Sequence, residues 1–188
     1  MKSPRLFPVF FLVFLALPAF PQQMPAYTAP GPVPPAITSA KTIFLSNAGA
    51  DAGLFPEPYT GSVLPEPFTG DTARAYTEFF AALQATRQYV LVNDPSQADL
   101  VLELHLTAPN GPTNPNRQNG AADPLPQFKL VIYDRKTHYV LWTITQSIDI
   151  ALLQKNHDKN FDRALSAVLE QFIAISHRPA AAPPPPPQ

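Results

Sequence analysis

The residues best placed to do chemistry in this chain are two polar side chains on one predicted strand. Glu103 and His105 lie two residues apart in DLVLELHLT, residues 99–107, so both point to the same face of a strand. A carboxylate and an imidazole at this spacing supply two ligands for a divalent metal ion. The nearest same-face residues on a neighbouring strand are Lys129 and Tyr133, and a lysine beside a divalent cation is unfavourable. The alternative is a polar sheet face on which Glu103 pairs with a lysine across strands.

A second polar group stands in QKNHDKNFD, residues 154–162. His157 and Asp158 lead into a predicted helix, where most such residues cap the helix or form its solvated surface. Their position beside the predicted strand ends also makes them binding candidates.

One phrase occurs twice in LFPEPYTGSVLPEPFTGD, residues 54–71. Each proline fixes its own φ angle and restricts the residue before it, so each Pro-Glu-Pro unit is extended. We interpret the repeat as a rigid connector that two aromatic side chains, Tyr59 and Phe68, pin to the domain. The alternative is a recognition motif in which the same two rings bind a partner.

The motifs of common enzyme classes are missing. The chain has no cysteine, which excludes disulfides, thiolate metal sites and a cysteine nucleophile. The glycines of SNAGADAG, residues 46–53, lack the spacing of dinucleotide-binding and phosphate-binding loops, and there is no Gly-x-Ser-x-Gly elbow. The residues therefore predict a protein that is not an enzyme and has no cofactor. A secreted hydrolase with an unrecognised site is an alternative, because catalytic triads are spatial rather than sequential.

The first residues predict export. Lys2 and Arg5 precede an apolar run of about 15 residues, shorter than the roughly 20 that a bilayer-spanning helix needs. This pattern is typical of a signal peptide, here residues 1–20, and it predicts a periplasmic or secreted protein. The alternative is an uncleaved signal anchor, in which case this segment is the only membrane contact.

Proline separates the tails from the domain. Of 25 prolines, nine precede residue 36 and six follow residue 178. The length of 188 residues indicates one domain with appendages. We therefore predict a disordered Pro-rich linker over 21–38, a globular domain over 39–177 and a polyproline tail over 178–188.

The charge balance excludes one class of partner. Removing Lys2 and Arg5 from the 13 basic residues leaves 11 against 14 acidic ones, a net charge of −3. A chain without a basic excess is a poor binder of nucleic acid, so no nucleic-acid partner is expected.

The elements that must position these residues follow from hydrophobic periodicity. Helix 71–88 is begun by Asp71, and the last helix is capped by Asn156 or Asp158. The predicted order is strand 41–47, helix 71–88, buried strand 89–93, turn 94–98, strand 99–107, long loop 108–126, strands 127–134 and 138–148, and helix 158–176. This order predicts a small α/β domain on the α+β border, with a mixed sheet of about five strands and two main helices on its leucine face.

Four stretches carry a resemblance to known proteins: KTIFLSNAG, QADLVLEL, YDRKTHYVLWT and QKNHDKNFD, which lie within residues 41–176. Together they resemble a group of exported bacterial proteins of unassigned function. The strand-helix-strand order that ends in ADLV, residues 98–101, is similar in topology to the amino-terminal domain of TolB and to CsgG. The resemblance implies a small envelope α/β domain and brings no catalytic residues. The missing lipid-acceptor cysteine separates this chain from lipoprotein members.

These observations predict a non-enzymatic exported protein that binds another protein or an envelope polymer. The first alternative is a carrier of a small ligand or metal on the polar sheet face around Glu103, His105 and Tyr133. The second is the secreted hydrolase.

Overall fold

The computed structural model describes residues 31–56, 63–64, 67–115 and 122–179. From Pro32 onwards they belong to one compact unit. Its elements are α1 Pro35–Ser39, β1 Thr42–Ala50, α2 Arg74–Ala85, β2 Val90–Leu91, a 3-10 turn Pro95–Gln97, β3 Leu100–Thr107, β4 Asn110–Thr113, β5 Ala122–Pro124, β6 Gln127–Asp134, β7 Val140–Ser147 and α3 Gln154–Ser176.

The main sheet is mixed and has five strands in the order β2-β1-β3-β6-β7. β1 runs parallel to both β2 and β3, whereas β3, β6 and β7 are successively antiparallel. β6 and β7 are joined by a short turn at residues 135–137, in the gap between the predicted strands 127–134 and 138–148. The predicted α/β class, with a single domain and a mixed five-stranded sheet, is confirmed.

Alternation along β3 determines where the core lies. Leu100, Leu102, Leu104 and Leu106 are at most 1% exposed, and the residues between them are half-buried. The four leucines belong to one apolar cluster that also takes in the buried residues of all three helices. Both main helices therefore pack on the leucine face of the sheet, as the sequence predicts.

The long helix follows its predicted apolar stripe. The stripe residues of α3 are all buried: Phe161, Leu165, Val168, Phe172 and Ile175. In α2 the buried residues are Ala75, Phe79 and Leu83.

The domain begins earlier than residue 39. Pro35 opens α1 inside the predicted linker, in a helix position where a missing N–H costs nothing. Val33 and Ile37 are each 1% exposed and join the core. The described end of the 21–38 segment is therefore packed structure, because its two branched apolar side chains find a place in the core.

Two other predictions need correction. The predicted strand 89–93 is present but shortened to the two residues of β2, and its buried character is wrong, because β2 lies at the sheet edge and Val90 is 63% exposed. Within the predicted loop 108–126, β4 and β5 pair as a small antiparallel sheet. Backbone pairing forms this hairpin although its residue types are poor strand formers.

α3 begins four residues before the predicted start. Its N-cap is Leu153, whose carbonyl accepts hydrogen bonds from Asn156 N and His157 N at 2.9 and 3.0 Å. Asn156 and Asp158 consequently lie inside the helix and do not cap it. The side chain of Asp158 is thus directed to other elements.

The predicted signal peptide 1–20, the polyproline run at 183–187 and Tyr59 lie outside the described residues and stay predictions. In the part of the chain that the structure describes, no helix combines the length and hydropathy needed to cross a bilayer.

Candidate functional site

The face of the sheet opposite the helices carries the first group of predicted site residues. Strand register places them in rows across β1, β3, β6 and β7. We call this surface the open face and define it by Phe44, Ser46, Val101, Glu103, His105, Lys129, Val131, Tyr133, Thr143 and Thr145.

The open face combines one buried valine with half-buried apolar and exposed polar side chains. Val131 is only 7% exposed although it lies outside the core cluster. Its cross-strand neighbours are Glu103 on β3 and Thr143 on β7. Phe44 and Val101, paired on the next row, are half-buried. Apolar side chains surrounded by polar ones are the composition of a surface that loses water when a partner binds.

Glu103 and Tyr133 form a direct contact on this face. The Tyr133 hydroxyl donates to Glu103 Oε1 at 3.4 Å. Burial raises the pKa of Tyr133, and the neighbouring Glu103 carboxylate raises it further. The hydrogen-bonding partner of Glu103 is therefore a tyrosine, where the sequence favoured a lysine across strands.

His105 meets a residue that the sequence did not single out. Its Nε2 lies 3.3 Å from Asp51 Oδ1, while the other oxygen of Asp51 accepts from Ala108 N at 2.8 Å. The end of β1 pairs with β3 through Ala50 and Leu106, which carries Asp51 to His105. Only the parallel pairing of β1 with β3 creates this contact, so no local pattern in the sequence marks Asp51.

These contacts do not assemble a metal centre. Among the described residues, no group of three or more His, Cys, Asp or Glu side chains is arranged to hold a metal ion. Glu103 and His105 share a face, but each is engaged with a different neighbour. The metal alternative therefore gains no geometric support from the pair that suggested it.

The second group of predicted residues lies on the helix side of the sheet. Phe68 stacks on His157, with ring centroids 4.2 Å apart and an interplanar angle of 13°, and both side chains are fully buried. Phe68 also contacts Phe55 and Phe161. The prediction that Phe68 and His157 are binding candidates is corrected, because their rings fill the core and offer no surface to a partner.

The burial of Phe68 also bears on the repeated phrase. Phe55 and Leu64, which occupy equivalent positions in the two copies, are 2% and 4% exposed. The connector from β1 to α2 is thus pinned by apolar side chains, the interpretation preferred from the sequence.

Asp158 holds this connector to α3. Its Oδ1 accepts from Thr69 N and from Arg74 Nη1, each at 3.0 Å, and its Oδ2 accepts from Gln154 Nε2 at 3.0 Å. Burial raises the pKa of the Asp158 carboxyl, but these hydrogen bonds outweigh it and bring the pKa down to about 2. Asp158 is therefore a structural carboxylate that stays ionised.

Arg74 completes the same cluster. Its guanidinium reaches Glu78 at 2.8 Å, Asp158 at 3.0 Å and Asp162 at 2.6 Å, and it lies 4.2 Å above the ring of Phe161. Its side chain is only 14% exposed. The cluster joins α2, α3 and the connector, and these contacts stabilise the fold. The open face is therefore the better candidate for a functional surface.

Comparison with known proteins gives structural similarity alone. No protein-family profile matches the chain, and neither does any curated protein. Among solved structures, a DUF4136 family protein from Bacteroides thetaiotaomicron is similar at 14% identity and a TM-score of 0.47, over 76% of this chain and 92% of that one. A dodecameric PelC variant from Paraburkholderia phytofirmans is similar at 12% identity and a TM-score of 0.42, over 72% and 90%.

The lipoprotein GNA1162 from Neisseria meningitidis is similar at 15% identity and a TM-score of 0.37, over 71% of this chain and 98% of that one. Similarity at this level does not transfer a function. The proposals that follow rest on the residues of this chain.

Proposed function

We propose that the chain is an exported, non-enzymatic protein of the bacterial envelope, which binds another protein or an envelope polymer through the open face of its sheet. The observation that carries the proposal is the one-sided covering of the sheet. The buried residues of all three helices belong to the cluster on the leucine face. The opposite face presents the half-buried side chains of Phe44 and Val101 together with exposed polar residues such as Thr143.

The amino-terminal sequence supports the proposed location in the bacterial envelope. Two positive charges followed by a short apolar run are typical of an export signal, and the cysteine-free chain needs no particular redox compartment. A periplasmic or secreted location follows from this signal.

The polar groups of the open face pair with one another, and the sequence contains none of the catalytic motifs considered above, so a binding role is proposed ahead of a catalytic one. On the open face Tyr133 donates to Glu103, and His105 is paired with Asp51. Residues paired in this way stabilise a surface and its shape, which suits recognition of a macromolecule.

Site-specific photocrosslinking in living cells tests the proposal. A photoreactive residue at Thr143, exposed on β7 and facing the open side, is expected to give a discrete adduct with an envelope component. The matched control carries the same residue at Glu170, exposed on α3. Fractionation of the same cells reports the location of the adduct.

The outcomes separate the two parts of the proposal. An adduct from position 143 alone supports the open face as the binding surface. Equal adducts from both positions, or adducts from position 170 alone, contradict that assignment. Recovery of the protein only in the cytoplasm contradicts the envelope location.

A further inference from the structure

A pocket lies where the 3-10 turn approaches the turn between β6 and β7. Its volume is about 400 Å³, and it is lined by Pro95, Ser96, Val101, Arg135, Lys136 and His138. Val101 also lies on the open face, so the pocket adjoins the end of that surface. Three nitrogen-bearing side chains thus meet an apolar wall made by Pro95 and Val101.

Among the residues that line this pocket, Arg135 has a side chain that lacks both a hydrogen-bond acceptor and an ion-pair partner. Its Nε atom is buried and has no hydrogen-bond partner, and among the described residues its guanidinium forms no ion pair. A buried donor without an acceptor is destabilising, so the described residues leave this guanidinium without a full set of partners. By contrast, Arg74 and Arg163 both contact carboxylates.

The carboxylates near the pocket are engaged elsewhere. Asp94 accepts from Ser96 N, and Asp99 accepts from Lys41 N and Thr42 N. Asp134 accepts from Lys136 N and from the Thr137 hydroxyl. Hydrogen bonds lower the pKa of each of these three carboxyl groups, so they are ionised at neutral pH. Their negative charges oppose the binding of an anion. None of the three accepts a hydrogen bond from Arg135.

We propose that this pocket binds an oxyanion, the carboxylate or phosphate group of a ligand, with Arg135 as the principal donor. A planar guanidinium binds such a group through two parallel hydrogen bonds, which here come from its Nη groups because Nε is shielded from solvent. Lys136 adds a donor whose charge is shared with Asp99 and Asp134, His138 adds a polar ring, and the apolar wall receives the carbon part of the ligand.

The inference does not rest on the proposed function, because a small anion reports on the pocket whether or not the open face has a macromolecular partner. The experiment is an NMR titration of the purified full chain with sodium phosphate and, separately, sodium acetate. The expected result is a saturable shift of the Arg135 Nε–H resonance and of the Val101 and Lys136 amides. Sodium chloride at the same ionic strength should give no saturable shift.

Two variants make the test decisive. Arg135→Gln is expected to weaken the apparent affinity, read from the Val101 amide, about tenfold or more, since a hydrogen bond to a charged group is lost. Arg87→Gln removes an exposed arginine elsewhere and should leave the affinity unchanged. An amide spectrum with native dispersion checks that each variant is folded.

Each outcome has a consequence. Saturation by phosphate alone or acetate alone supports the site and identifies the group that it prefers, and saturation by both supports a general oxyanion site. Equal shifts with chloride, shifts that do not saturate, or an unchanged affinity in Arg135→Gln overturn the proposal.

Discussion

At the scale of single residues, Arg74 joins more parts of the molecule than any other side chain described above. It contacts carboxylates on its own helix and on α3, and its Nη1 also donates to the carbonyl of Thr69 at 3.0 Å. Removing one partner of a mostly buried ion pair leaves the remaining charge without compensation. The cost therefore exceeds that of a surface pair.

We expect Arg74→Ala to lower the free energy of unfolding by about 2–3 kcal/mol, measured by urea denaturation at pH 7. The matched control is Arg163→Ala, whose partner Asp149 is 80% exposed, with an expected loss of about 0.5 kcal/mol or less. Equal losses in the two variants would show that the Arg74 cluster does not stabilise the domain.

Asp158 makes the same cluster dependent on pH. Its pKa is about 2 in the folded protein, below the ordinary aspartate pKa of 3.8, so the ionised form is the stabilising one. Stability from this group is fully present above about pH 4 and is lost as the pH falls towards 2. After allowing for solvent screening, its contribution at pH 7 is about 1 kcal/mol.

We therefore expect Asp158→Asn to be less stable than the parent chain at pH 7 and to approach it as the pH falls from 4 to 2.5. Urea denaturation across this range measures the difference. Glu170→Gln, which changes an exposed carboxylate on the same helix, is the control and should give no such convergence. A difference for Asp158→Asn that is constant with pH would contradict the assignment.

At the scale of elements, the described residues of the connector between β1 and α2 contribute aromatic side chains to the core. Phe68 fills a position between Phe55, His157 and Phe161. Replacing a buried phenylalanine with a small residue leaves a cavity that the surroundings only partly close.

Phe68→Ala is expected to lower the free energy of unfolding by about 3–5 kcal/mol, whereas Phe68→Leu, which retains most of the volume, should cost about 1.5 kcal/mol or less. Thermal and urea denaturation give both values. If Phe68→Ala kept its stability and lost only a crosslinked partner, the repeated phrase would be a recognition motif after all.

Elements with a strong periodic signal were predictable. The alternation in β3 and the stripe of α3 depend on residues close in sequence, and both are confirmed. The hairpin of β4 and β5 was missed because NGPT and ADP carry no strand signal, and their pairing supplies the structure. The start of α3 was missed because its N-cap, Leu153, is not a capping residue type.

The candidate site was predictable only in part, for a similar reason. Glu103, His105 and Tyr133 share a face because side chains alternate along strands, which the sequence reveals. The contacts of His105 with Asp51 and of Phe68 with His157 join residues 54 and 89 positions apart, and only the folded topology creates them. That the Arg135 Nε atom is buried without an acceptor can likewise be seen only in the folded structure.

At the scale of the whole molecule, the described helices form one layer on one face of the five-stranded sheet. This two-layer arrangement gives the described domain one apolar core and, among the described residues, leaves the open face without a helix on it. It also explains why a short helix at the amino-terminal side matters: α1 contacts α3 and closes the core layer.

The boundary of the domain yields the last prediction. Val33 and Ile37 are each 1% exposed and Ala40 is 7% exposed, so the segment that contains α1 contributes apolar burial that a chain beginning at Lys41 lacks. A chain that begins at Pro32 is expected to unfold at the same urea concentration as one that begins at Pro21. A chain that begins at Lys41 should lose about 3 kcal/mol, since burial of one branched side chain is worth about 1.5–3 kcal/mol and ordering the segment offsets part of the gain.

Ile37→Ala in the longer chain should reproduce about 2–3 kcal/mol of that loss without removing any backbone. If the chain from Lys41 matched the other two, α1 would be an attached segment and the domain would begin at residue 39, where the sequence placed it.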